Sequence, residues 1–170
     1  MKSYFSGKWS DSSLDQYDWS GWSLVDRING MNPDSVLDVG CGFNRFKGKI
    51  NNLWGIDPHN AAADDMISIE EYHGPQVDVV MALGSINFGD ENLIDRQMDI
   101  LDCIWTKKAF FRVNPGIEHN WNSDWDGIVW YPWTQEKVYA IAERYKYNVD
   151  RFETEHTVQD HKRYYFELSK

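Results

Sequence analysis

Ser35-Val-Leu-Asp-Val39 runs directly into Gly40-Cys-Gly42, and no other stretch constrains the fold as much. A strand that is apolar at nearly every position has no solvated face, so it belongs inside a sheet covered on both sides. Two glycines flanking one residue let the chain turn sharply and open the backbone to a ligand where a Cβ would block it. Leu53–Ile56, Val77–Leu83 and Ala109–Val113 repeat the apolar pattern, and Met66–Ile69 is a weaker strand between the first two of these. Helical spacing fills the gaps. Ser12 to Asn29 is loosely helical through Leu14, Tyr17, Leu24, Val25 and Ile28, and Gly30 with Pro33 ends it. Asp90 caps a helix from Glu91 to Trp105 with Ile94, Met98, Leu101 and Trp105 on one stripe, and Thr134 caps another through Lys146. Asn148–Phe152 and Tyr164–Leu168 close the chain as an antiparallel hairpin. The alternation predicts an α/β fold of about seven strands with a mostly parallel sheet. In such sheets ligands bind outside the carboxyl ends of the strands.

At 170 residues the chain is expected to form a single domain, residues 1–170. Within it, 1–33 is a helical lid segment and 114–133 an aromatic-rich insertion. No signal peptide or membrane span is expected, and Cys41 and Cys103 form neither a disulfide framework nor a zinc site, which points to a reducing cytoplasm. No metal is expected. The 17 basic and 27 acidic residues give a net charge of −10, which argues against a protein that grips nucleic acid by its phosphates. The excess is local: residues 60–105 carry 1 basic and 10 acidic groups, whereas 106–170 carry 10 of each. A solvated acidic face and a surface that selects a charged partner both fit this pattern.

Asp57 follows the second strand, nineteen residues after Asp38. An acidic side chain at that spacing can receive the two ribose hydroxyls of a nucleoside held by the glycine loop. A dinucleotide fingerprint needs a third glycine where Arg45 stands. A P-loop needs four residues between its glycines and then Lys-Ser/Thr, whereas Gly42 and Gly48 enclose five and Lys49 precedes Ile50. VLDVGCG resembles motif I of the class I S-adenosylmethionine-dependent methyltransferases, and GIDPHN resembles the acidic strand end that follows it. The likeness runs over about Val36 to Val113 and implies a Rossmann-like fold with S-adenosylmethionine as cofactor. The compact SINFG and FRVNPG segments also resemble short bacteriophage-encoded proteins of this type, for which the host cytoplasm would be the compartment.

The resemblance implies roles. Gly40, Cys41 and Gly42 would line the methionine part of the cofactor, and Asp38 would hold its amino group. Asp57 would take the ribose, with Pro58 and His59 beside the adenine. Asp65 and Met66 match the third motif, in which a carboxylate accepts from the adenine amino group and an apolar neighbour packs on the ring, and Asp64 is an equal candidate. Ala82, Leu83 and Gly84 would run under the cofactor beside the methyl. One departure is visible: only Phe43 to Asn52 separates the loop from the second strand, so the family's first helix shrinks to a turn or two. Arg45 or Lys47 would then supply the charge that a helix N-terminus lends to the methionine carboxylate.

The acceptor is less legible. Gly84-Ser-Ile-Asn-Phe88 carries neither the Asp/Asn-Pro-Pro-aromatic motif of base-amine enzymes nor the Pro-Cys of cytosine enzymes. That leaves a small-molecule or peptide acceptor, with nucleic acid disfavoured. Asn87 and His119 are the candidate catalytic residues, Asn87 to orient an acceptor and His119 as a base with an ordinary pKa of ~6.5. Turn chemistry accounts equally for Asn87, and His119 also reads as a surface histidine. Trp121, Trp125, Trp130, Tyr131 and Trp133 form either a pocket wall or the small core of a long loop. Two other functions share the fold: a non-catalytic module binding S-adenosylmethionine or S-adenosylhomocysteine, and a different reaction of the same cofactor.

Overall fold

A computed structural model of the chain describes residues 21–115, 129–156 and 162–170. Its elements in chain order are α1 (Leu24–Gly30), β1 (Val36–Val39), β2 (Leu53–Ile56), β3 (Val77–Leu83), α2 (Glu91–Ile104), β4 (Trp105–Val113), α3 (Gln135–Tyr145), β5 (Asn148–His156) and β6 (Lys162–Ser169). The strands form one sheet in the order β2-β1-β3-β4-β6-β5. The first four are parallel, and β6 runs antiparallel to both β4 and β5.

Both faces of the sheet are covered, as the unbroken apolar strands require. Leu24 and Ile28 of α1, with Phe46 and Ile50, pack on Val36, Val79, Met81, Phe110 and Tyr165. On the opposite face, Ile94, Met98 and Leu101 of α2 and Val138, Ile141 and Ala142 of α3 cover Leu37, Val80, Phe111 and Phe166. The two expected caps are present: the Asp90 side chain accepts from Leu93 N and the Thr134 hydroxyl from Lys137 N. Trp105, expected to end α2, instead opens β4 and is fully buried.

The expected strand at Met66–Ile69 is not formed. Among the described residues, the outer edge of β2 carries only a parallel bridge between Ile56 and Asp65, and Ile69–Glu71 is a 3-10 turn closed by a Ser68–Glu71 capping box. Among the described residues the sheet has six strands. The eight residues from Pro58 to Asp65 are too few for a crossover helix, and parallel pairing stops at the single Ile56–Asp65 bridge. Asp64 closes the edge instead. Its carboxylate accepts from Gly55 N at 2.8 Å and lies 2.8 Å from Lys47 Nζ, while its own N–H donates to Gly55 O. Burial alone would raise the Asp64 pKa, but the Gly55 amide, Lys47 and Asn44 together hold it below the usual carboxylate range. The stabilisation is thus complete above the unfolded pKa of ~3.8 and is lost as pH falls through the lower folded value. Asp64→Ala should cost about 1–2 kcal/mol by stranding the Gly55 amide, read as a lower urea midpoint at neutral pH; an unchanged midpoint would contradict this role.

Candidate functional site

β1, β2 and β3 end on one edge of the sheet, and the expected loop residues meet there. Gly40 N and Cys41 N both donate to Ile56 O, at 2.8 and 3.0 Å, which locks the glycine loop to the end of β2. Gly40 has φ +70°, and a Cβ on it would lie 2.3 Å from Ser85 Cβ, so only glycine lets the ends of β1 and β3 approach this closely. The Ser85 hydroxyl donates to Val39 O across that contact. Gly42 has φ +54°, and a Cβ there would point into open space.

Two carboxylates act on the glycine loop, one at its surface and one buried behind it. Asp57 Oδ2 accepts from Gly42 N at 3.1 Å, and Oδ1 accepts from His59 N and Asn60 N at 2.8 and 3.0 Å, so Asp57 shapes both the glycine loop and its own turn. Asp38 is buried in β1 at 3% exposure, on the face covered by α1. Burial first, and then the charge of Asp57, push its pKa up to about 7. Burial, Asp38 and Asp57 also push the Cys41 thiol up, so it stays protonated at neutral pH. A buried carboxylate poised near neutrality accommodates a cationic group, and Asp57, with one amide on Oδ2 and two on Oδ1, keeps acceptor capacity on Oδ2 for a hydroxyl.

Other expected site residues have different company. Lys47 Nζ is taken by Leu53 O and Asp64, so it is directed away from the glycine loop. The Arg45 guanidinium lies 5.8 Å from the Phe43 ring, and its residue is half-buried. No helix follows the loop; residues 43–52 form successive turns. Asp65 Oδ2 accepts from Trp54 Nε1 at 2.9 Å, and Met66 stands 56% exposed beside it. Pro58 is exposed and His59 half-buried. Ala82 is fully buried among the α2-side residues, whereas Leu83 packs on the α1 side and Gly84 turns at φ +106°. Asn87 is 2% exposed: its amide nitrogen donates to Gly84 O, and its oxygen accepts from Asn114 N at 2.8 Å. The side chain therefore staples the loop after β3 to the end of β4. His119, Trp121 and Trp125 lie outside the described residues, as do the aromatics before Gly21.

The described aromatics of the insertion divide between core and edge. Trp133 is buried with Nε1 donating to Ile86 O, and Tyr131 packs edge-on against it. Trp130 instead packs at a tilt against Phe88, with ring centroids 4.6 Å apart, in the loop after β3. Two charged residues not expected at a site are buried in the sheet, Arg112 at the end of β4 and Glu167 in β6. Their signal was a charge inside an otherwise apolar strand. Among the described residues, no three His, Cys, Asp or Glu side chains gather as metal ligands, and no helix is long and apolar enough to cross a membrane.

No protein-family model and no curated protein sequence matches the chain. Solved structures do. Magnesium protoporphyrin IX methyltransferase from Synechocystis PCC 6803 with bound SAM superposes at TM-score 0.74 and 11% identity, covering 99% of this chain and 94% of that one. Burkholderia thailandensis 1,6-didemethyltoxoflavin-N1-methyltransferase with bound S-adenosylhomocysteine gives 0.72 at 11% identity, over 99% and 86% of the two chains. The chain has the class I methyltransferase fold. The [4+2]-cyclase SpnF shares this fold at TM-score 0.63 and 11% identity, over 87% of this chain and 78% of that one. Within the class I fold, the glycine loop, Asp38 and Asp57 occupy the carboxyl ends of the first two parallel strands, and the six-strand sheet is a reduced version that replaces an edge strand with the Asp64 closure.

Proposed function

We propose that the chain is an S-adenosylmethionine-dependent methyltransferase acting on a small-molecule or peptide acceptor. The observation that carries this reading is the open face of Gly42, bonded to Asp57, with the desolvated Asp38 coupled to Asp57 behind the loop. The residues fit the cofactor chemically: the desolvated Asp38 calls for a cation such as the methionine ammonium, a Gly42 Cβ would fill the space at the loop, and Asp57 retains acceptor capacity for ribose hydroxyls. Solved proteins of the same fold hold SAM or S-adenosylhomocysteine. When bound, the cofactor supplies an electrophilic methyl on a sulfonium. Asn87 would hold the loop after β3 in place, Leu83 and Gly84 would form the floor beside the methyl, and Phe88 with Trp130 would wall the acceptor side. Residues 1–33 would serve as a lid, a role supported by Trp22 packing edge-on to Phe46 at 5.2 Å. The free cysteines Cys41 and Cys103 suit a reducing cytoplasm.

Calorimetry with S-adenosylmethionine and S-adenosylhomocysteine tests the reading; folded protein that gives heat with neither would sink it. The Asp38 environment adds a pH signature. Because the folded pKa is raised, ionising Asp38 in the free protein costs stability as pH rises from ~4 to about 7. An ammonium alongside favours the ionised form, so binding at about pH 6 should release a proton from Asp38. Affinity should then fall by up to about tenfold per pH unit below 7. Titrations at about pH 6 in two buffers of different ionisation enthalpy read that proton; identical heats would contradict the Asp38 role.

A second reading has its own support. Gly40, Cys41 and Gly42 already spend their amides on Ile56 and Asp57, and no helix N-terminus follows, so the loop brings few donors to a methionine carboxylate. That favours a module that binds without turnover, and SpnF is a cyclase on the same fold. Labelled methyl transferred to any acceptor in a cell extract distinguishes the enzyme from the module.

A further inference from the structure

β5 is the last strand of the sheet, and among the described residues no strand pairs with its outer edge. Such an edge offers a row of backbone N–H and C=O groups to another chain, and proteins commonly guard it with charge. β5 carries Asp150, Arg151, Glu153 and Glu155 within its nine residues. Two of these are held by β4: Asp150 by Lys108 at 2.6 Å, and Glu155 by Arg112 at 2.6 and 2.9 Å. Arg151 and Glu153 pair with each other along the strand at 2.7 Å, with side chains 42% and 43% exposed. Register sets them opposite Glu167 and Tyr165 of β6, on the α1 side of the sheet. Phe152 lies on the α3 side, its ring 5.3 Å from Tyr164 and 6.2 Å from Tyr139, and Tyr139 is 47% exposed.

Two copies of an edge strand that pair antiparallel about a dyad set one residue opposite itself, and the choice of that residue fixes every other pair. A dyad at Asp150, Arg151 or Glu153 sets a charge against its own copy. A dyad at Thr154 sets Glu153 against Glu155 of the second copy, twice. Only Phe152, among the five residues from Asp150 to Thr154, gives a register without like charges opposite each other. There Arg151 faces Glu153 of the second copy and Glu153 faces its Arg151, while Asp150 meets Thr154 and Glu155 meets Val149. The charges that guard the edge in the other registers are complementary in this one. On the α3 side Phe152 meets its own copy, with the exposed Tyr139 of each helix alongside.

We propose that β5 is the contact surface for a second copy of this chain, joined antiparallel with Phe152 on the dyad, so that one sheet runs through both copies. The interface does not depend on the methyltransferase reading. β5 stands four strands from β1, roughly 19 Å across the sheet at ~4.8 Å per strand. A dyad perpendicular to the sheet turns the two glycine loops toward opposite edges of the joint sheet, which leaves both open.

Sedimentation velocity of the full chain from about 1 to about 300 μM tests this, because a contact built on one strand edge belongs to the weak class of interfaces, with a micromolar dissociation constant. Arg151→Glu and Glu153→Arg should each weaken the dimer about tenfold or more, since each replaces two opposite-charge pairs with like-charge ones. The double variant carrying both substitutions should return the dissociation constant to near the wild-type value. Glu153→Arg also lowers the net negative charge, so general repulsion calls for tighter association of that variant and the Phe152 register for weaker. Amide exchange along β5 should slow as the concentration rises. A monomer throughout the range, a dimer indifferent to both single substitutions, or a double variant no tighter than the single ones would each overturn the proposal; a monomer would leave the edge to a strand of another protein. Should one single variant fail to fold, the other and the double variant still decide it.

Discussion

Glu167→Ala is expected to lower the stability of the folded chain by about 3 kcal/mol, near the low end of the cost of breaking a buried ion pair. Glu167 is fully buried in β6 and is the hub of a polar cluster on the α1 face. Arg27 Nη2 of α1 reaches its carboxylate at 2.7 Å, Lys108 Nζ of β4 at 3.0 Å, and the Tyr165 hydroxyl donates to it. The cluster ties α1 to the antiparallel half of the sheet, whose α1-side strand residues otherwise carry few apolar contacts. The expected loss is at the low end for two reasons. Lys108 keeps Asp150 at 2.6 Å, and Arg27 is 40% exposed, so neither cation is stranded. For a chain of this length the change corresponds to roughly 6–12 °C in Tm. Glu167→Gln keeps the volume and part of the hydrogen bonding and should cost about half as much. Thermal unfolding of the two variants checks both figures; a Glu167→Ala midpoint within about 2 °C of wild type would show the cluster to be surface decoration.

Asp57→Ala is expected to weaken S-adenosylhomocysteine binding by about 10- to 150-fold, the equivalent of ~1.5–3 kcal/mol for hydrogen bonds to a charged group. The substitution acts twice. It removes the carboxylate proposed to face the ribose, and it frees the amides of Gly42, His59 and Asn60 that Asp57 holds in place. Asp57→Asn separates the two contributions, because an amide oxygen still accepts from the His59 and Asn60 amides while losing charge. The variant should keep most of the wild-type Tm and still bind weakly. Calorimetry alongside thermal unfolding measures the pair, and wild-type affinity in Asp57→Asn would leave Asp57 a purely structural role.

The fold class was legible because apolar strands without a solvated side have few ways to be satisfied. VLDV, LWGI and VDVVMAL read as strands of a mostly parallel sheet from their apolar pattern, and the helix caps Asp90 and Thr134 from local chemistry. The reduced connections after β1 and β2 were also legible, since they depend only on counting residues. The Met66–Ile69 strand was misread because a short apolar run looks the same as a strand or as a turn anchored by one buried side chain, here Ile69 at 4% exposure. At the site, the glycine loop and Asp57 were visible through their spacing. The company kept by Lys47, Asp64, Asp65 and Asn87 was not, because each is held by residues between 9 and 27 positions away.

By itself the sequence determined that the sheet is mostly parallel, where the chain turns at the glycines and which carboxylates stand at the ends of β1 and β2. These depend on periodicity, on φ preference and on chain length, all of which are local. Only the tertiary structure decided that Asp38 is desolvated enough to titrate near neutrality, that Asp64 closes an edge in place of a strand, and that Arg112 holds one nitrogen unpaired beneath Gly21. Each of those outcomes is set by what distant segments bring into contact. The free energy of a charge depends on the water and the partners left around it, and no local pattern encodes them.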